Sequence, residues 1–366
     1  MNAFVLHIKP LTSLRAFAAL WVILFTSWSL MLPQGMGELP GLIKAGNLGV
    51  DLFFILSGFI LCHVYLDEFG QKRFSYREFL THRLARIYPL HLATLWLTIM
   101  MGSAALMFGA KIDSDAMDWS SLPANLFMVH AWGLAPSAAF NHPSWSISAE
   151  WFAYLCFPLF ASVAWTLRKK PVVAFVLGLV SLSVVSCAFW MLTGKELTNM
   201  TIHWGALRIL PTFFLGSMLY VAYRSGVVSN RLIASAGFAI SASFVALCAH
   251  FNMPAVLIIT ALGLCVISLA GIDPMGKGIL SSKPLVYLGE ISFAAYMVYV
   301  PVKWVYVKAF ERLVGGAGAA MPVEIFSFMI VVIFVVAALA HHIIELPMRK
   351  FVREVAAKQK VNSTQT

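Results

Sequence analysis

The chain has 366 residues, of which 60% are hydrophobic and only 11% are Asp, Glu, Lys or Arg, with a net charge of +10. An ordinary soluble domain carries roughly 25% charged residues, so a soluble globule, a disordered tail and a repeat solenoid are excluded. The surplus apolar surface must face lipid, which makes this an all-α polytopic membrane protein, and the positive charge reads as a topology signal rather than a nucleic-acid footprint.

Runs of about 20 apolar residues predict ten spans, near 13–32, 47–66, 84–108, 145–167, 172–193, 204–223, 232–250, 254–271, 285–308 and 324–346. The first follows Lys9 and Arg15 with no small-residue cleavage site after it, so it reads as a retained helix and not a signal peptide. The stretch 120–134 is apolar but holds Pro123, and reads as an interfacial or re-entrant segment. Basic residues set the orientation. Seventeen Lys and Arg, from Lys9 to the tail residues Arg349, Lys350, Arg353, Lys358 and Lys360, fall on one side, against Lys44, Lys111, Lys195 and Arg312 on the other. That asymmetry predicts cytoplasmic termini. No linker or repeat divides the chain, so one transmembrane domain is expected over 1–351, with a polar cytoplasmic tail at 352–366. The loop 109–144 faces the other side and is the only extramembrane segment long enough to shape a substrate mouth.

The five cysteines, Cys62, Cys156, Cys187, Cys248 and Cys265, sit in apolar stretches without CxxC or zinc spacing, so packing is expected and no metal. Ionisable residues inside spans are costly and mark function by default. Here they are Arg15, Asp51, Glu150, Arg208, Glu290, Lys303, Lys308 and Glu345. Some are expected to neutralise one another, and Lys303 and Lys308 to snorkel to an interface. His341 and His342 read as packing or interfacial residues. Arg83 and Arg86 stand three apart on one helix face. Two guanidiniums at that spacing suit a phosphate, such as those of coenzyme A, or else serve only as topology anchors.

In order, six segments resemble the acyltransferase-3 family of integral membrane O-acyltransferases: LTSLRAFAALWVILFTSW, GVDLFFILSGFIL (49–61), HRLARIYPLHL (82–92), PSWSISAEWFAYLCFPL (143–159), LGEISFAAYMVYVPV (288–302) and IIELPMRKF (343–351). The resemblance covers nearly the whole chain. It implies a ten-helix bundle in a bacterial inner membrane that passes an acyl group, by family usage acetyl, from cytosolic acyl-CoA to a glycan hydroxyl. The acceptor it implies is an exported or cell-envelope polysaccharide, with exopolysaccharide or its lipid-linked oligosaccharide first, and polysaccharide-assembly proteins as possible partners. Carried over, Arg15 is the arginine of the family's Arg-x10-His motif, Arg83 and Arg86 are its donor-binding pair, and Glu150 is its fourth-span acid. Ser57 and Gly58 fall in its Ser-Gly-Phe turn, where a small residue suits close helix approach.

One position departs. Eleven residues after Arg15, where the family has its histidine base, stands Thr26, and the family's late histidine is also absent, with Tyr299 in that block. A threonine hydroxyl does not take a proton near neutral pH, as imidazole does. Three explanations stand open: a base from His63, His91 or Glu150; a catalytically silent binding subunit of a glycan-modifying complex; or a substitution in this sequence. A transporter also explains midplane charge, but the chain lacks paired helix-breaking interruptions in matched halves. If the chain is active, the expected route has Arg83 and Arg86 hold the donor, the thioester reach inward past Arg15, and the acceptor enter from the 109–144 side.

Overall fold

A computed structural model describes residues 7–33, 37–109, 113–273, 276–314, 316, 318–352 and 354–355. Lys111, Arg353, Lys358 and Lys360, and nearly all of the expected tail, lie outside the described residues. The long helices are α1 (Lys9–Ser27), α2 (Gly49–Gly70), α3 (Tyr76–Met107), α4 (Trp145–Leu155), α5 (Phe157–Thr166), α6 (Pro171–Thr193), α7 (Gly205–Arg224), α8 (Arg231–His250), α9 (Ala255–Ile272), α10 (Lys283–Glu290), α11 (Ser292–Leu313) and α12 (Val323–Ala340). Among the described residues, eight helices are long and apolar enough to cross a membrane, or up to ten if the bent pairs α4–α5 and α10–α11 each count as one span. That agrees with the ten expected spans.

Local chemistry explains most of the boundaries. Proline near the first turn begins α1, α5, α6 and α10, where its missing N–H costs nothing. α3 begins eight residues earlier than the apolar run suggests, because Ser75 caps it by accepting the Glu78 N–H at 3.4 Å. That extra polar turn carries Arg77. The α4–α5 span bends by 55° and the α10–α11 span by 58°. Continuous apolar runs hid both breaks. The segment 120–134 forms no span: it folds into short helical turns at Trp119–Ser121, Leu122–Leu126 and His130–Trp132.

The bundle sorts its helices by burial. α6, α8 and α12 turn Val172, Leu192, Leu232, Ile240, Phe328 and Val331 outward, as a lipid-facing shell does. α2 and α7 form the interior. A Cβ on Gly58 would stand 2.0 Å from the Phe213 carbonyl oxygen, and one on Gly216 would stand 2.1 Å from that of Ile55. The two backbones therefore touch, and Gly58 serves close approach as expected. Gly58→Val is expected to cost about 1–3 kcal/mol or more through overpacking, read as a lower unfolding temperature in detergent; an unchanged temperature would mean the helices have room to separate.

Asp51 and Arg208 form one of the neutralising pairs. Arg208 Nη2 lies 2.6 Å from Asp51 Oδ2 and Nε 3.2 Å from Oδ1, a two-point contact, and its remaining donors reach the carbonyls of Met200 and Asn47 at 3.1 Å each. Both residues are buried. This arginine joins α2 to α7 and spends four of its five N–H donors on protein oxygens.

Candidate functional site

Between these helices lies a cavity of about 540 Å³. α1 contributes Arg15, α2 Phe53 and Ser57, α3 Arg83 and Arg86, and α4 Glu150 and Tyr154, while Tyr287, Glu290 and Tyr296 line it from α10 and α11. The chain following α12 adds His341, Glu345 and Arg349. Its exposed lining residues, His7, Glu290, His342 and Leu346, lie just before α1, at the end of α10 and just after α12. That is the end of the bundle rich in basic residues.

The cavity carries an excess of positive charge. Four guanidiniums (Arg15, Arg83, Arg86 and Arg349) face three carboxylates (Glu150, Glu290 and Glu345) among its described lining residues. Arg15 packs its guanidinium 5.9 Å from the Phe53 ring centroid, and its buried Nε has no hydrogen-bond partner. Arg83 donates to the Tyr65 hydroxyl at 3.3 Å and rests against the Tyr65 and Phe79 rings, yet its buried Nε also lacks a partner. Buried polar groups are nearly always paired, so two arginines with spare donors in one cavity mark a place for an anion.

Glu150 has a different role. Its Oε1 accepts from the Ser57 hydroxyl at 2.8 Å and the Tyr154 hydroxyl at 2.5 Å. The Ser-Gly-Phe segment, which is continuous helix within α2 and not a turn, thus supplies the close contact through Gly58 and a hydroxyl to Glu150 through Ser57. The loop before α4 holds this helix in place: Ala131 N donates to Ser148 Oγ at 3.0 Å and Trp132 Nε1 to the Ser148 carbonyl at 2.9 Å. Within that loop, hydrogen bonds from the Ser120, Ser137 and Ser121 hydroxyls hold the Asp118 carboxyl down at about 2.

Thr26 is not among the residues lining the cavity. Its hydroxyl donates to the Val22 and Ile23 carbonyls of its own helix, and its carbonyl accepts from Lys303 Nζ at 3.0 Å. Lys303 is therefore engaged across the bundle and does not snorkel, whereas Lys308 is exposed and pairs with Glu311. His63 sits outside the cavity with its ring 5.6 Å from that of Tyr220. His91 is buried, has Nε2 2.8 Å from the Asn125 carbonyl and stacks on His130. Neither histidine reaches the cavity, because each points from its helix toward a packed neighbour.

His341 and His342, expected to pack or sit at the interface, both line the cavity, His341 buried and His342 exposed. His341 Nδ1 lies 2.8 Å from Glu345 Oε2, and Arg349 Nη1 reaches Glu345 Oε1 at 3.4 Å. The signal was present in the chain as His341, Glu345 and Arg349, spaced four apart on one helical face in an apolar run. Among the described residues, no group of three or more His, Cys, Asp or Glu is suited to hold a metal ion.

A family model described as an acyltransferase domain matches residues 9–342. The chain is 29% identical over 377 residues to the acyltransferase MdmB of Streptomyces mycarofaciens, covering 94% of this chain and 92% of that protein. It is 24% identical over 376 residues to the O-acetyltransferase OatA of Staphylococcus aureus, covering 94% of this chain but only 57% of OatA. No solved structure matches.

Proposed function

The chain belongs to the acyltransferase-3 family and is a membrane acyltransferase, and from that premise we propose that it carries an acetyl group from cytosolic acetyl-CoA to a hydroxyl of an exported or cell-envelope polysaccharide. The acceptor we favour is an exopolysaccharide unit while it is still lipid-linked. The membrane is a bacterial inner membrane, with both termini cytoplasmic, so the cavity opens toward the donor. The observation that carries this reading is the cavity's surplus of guanidinium donors at Arg15 and Arg83.

In this reading Arg83 and Arg86 hold the phosphates of coenzyme A at the mouth. The thioester extends inward past Arg15, whose free donor stabilises the oxyanion that forms when the carbonyl is attacked. Glu150, fixed by Ser57 and Tyr154, orients the acceptor.

The test supplies labelled acetyl-CoA to membranes from cells lacking the native gene, with and without this protein, and measures O-acetyl groups on the exported glycan by proton NMR. Restored acetylation is the expected result. Donor consumption without glycan acetylation would reject the acceptor, and no consumption would reject the donor. In the same assay Thr26→His is expected to leave the rate within about twofold of the parent, since position 26 lies roughly 16 Å along α1 from Arg15 at 1.5 Å per residue. A large gain would mean that the reacting atoms meet at position 26 instead.

A further inference from the structure

The reaction needs a group to take the acceptor proton, and neither Thr26, His63 nor His91 stands in the cavity. Among the described residues, three histidines do line it. His7 is exposed, with Nε2 2.8 Å from Thr12 Oγ1. His342 is exposed as well, with Nε2 3.1 Å from the Tyr287 hydroxyl. His341 differs from both: it is 5% exposed and is held by Glu345, itself 2% exposed.

Hydrogen-bond chemistry sets the tautomer. An ionised carboxylate only accepts, so the 2.8 Å contact with Glu345 places the proton of a neutral His341 on Nδ1. Nε2 is then left as the acceptor. An imidazole whose Nδ1–H is held by a buried carboxylate is the arrangement in which histidine acts as a base on a hydroxyl. Glu345 is fixed in turn by Arg349. The backbone contributes too: residues His341–Glu345 form a π-helical turn after α12, a distortion that recurs at functional sites because it redirects side chains. Glu150 already accepts hydrogen bonds from two hydroxyls at one oxygen, which suits it to positioning.

We propose that His341 is the general base of the acyl transfer and Glu345 its positioning residue, so that the hydroxyl is acylated inside the cavity. This rests on the acyl-transfer reading above. Nε2 takes the proton as the hydroxyl oxygen bonds to the thioester carbonyl carbon. The resulting oxyanion collapses, the carbon–sulfur bond breaks, and His341 returns the proton to the departing thiolate. The products are the ester and free coenzyme A, with no further reactant needed. The thiol leaves from the side on which it entered.

The experiment uses the purified full chain in detergent, labelled acetyl-CoA and a lipid-linked glycan fraction, and follows thiol release, ester formation and donor affinity. His341→Gln keeps an amide to face Glu345 but supplies no base. Its turnover is expected to fall about 10²–10⁴-fold with donor affinity unchanged. Glu345→Gln is expected to lower kcat while leaving the acceptor KM in place. Parent-like turnover in His341→Gln would overturn the proposal. Loss of donor affinity together with turnover would also overturn it, because His341 would then be holding the cavity rather than the proton. An equal change of kcat and KM in Glu345→Gln would remove the positioning role. A parent protein that releases no thiol with any hydroxyl acceptor would sink the acyl-transfer reading, and this proposal with it.

Discussion

Replacing both Arg83 and Arg86 by Ala is expected to weaken acetyl-CoA binding roughly 10²–10⁴-fold, since each charge-assisted hydrogen bond to phosphate contributes about 1.5–3 kcal/mol. Titration of the detergent-solubilised protein with coenzyme A measures this directly. The parent affinity should fall with rising salt, and the double variant should lose most of that dependence. Arg83→Lys should recover only part of the affinity, because an ammonium lacks the planar two-point geometry of guanidinium. The fold should survive. Both side chains are only half-buried, and among the described residues the one hydrogen bond shown for the pair runs from Arg83 to Tyr65. An unchanged affinity in the double variant would reduce these arginines to topology anchors.

Arg208→Met is expected to have the largest effect on stability, about 3–5 kcal/mol, because it leaves the Asp51 carboxylate buried without its partner. The companion Asp51→Leu/Arg208→Met removes both charges and should recover much of the loss. Recovery should stay incomplete, since the Met200 and Asn47 carbonyls keep no guanidinium donor. Thermal unfolding in one detergent, compared across parent, single and double variants, gives the order. A double variant as unstable as the single one would show that the carbonyl contacts, and not the unpaired charge, dominate.

These two arginines illustrate how far the chain can be read unaided. Arg208 and Arg15 look alike in one dimension: each is a lone cation in an apolar run. One is consumed by a two-point contact with Asp51, and the other keeps a free donor toward a cavity. Arg83 and Arg86 were legible because three-residue spacing puts both on one helix face. Glu150 was legible by resemblance and Tyr154 stands four residues on along the same helix, but the contact with Ser57 was not legible, since Ser57 comes from a different helix. Glu345 was legible as a costly charge inside a span, whereas His341, four residues before it, read only as a packing or interfacial residue. A histidine near the end of a span resembles any interfacial residue until the helices across from it are in place.

The amino-acid sequence by itself determined the polytopic helical membrane bundle and the family blocks. Those follow from local quantities: apolar run length against the thickness of a bilayer, proline and capping residues at helix starts, and motif spacing along one helix. Only the tertiary structure decided which costly charges are spent on one another and which are left for a ligand. It also decided that position 26 stands apart from the cavity and that His341 stands in its wall. The physical reason is that the cavity is assembled from helices far apart in the chain. Whether a buried polar group finds a partner depends on what the other helices present to it, and no local pattern encodes that.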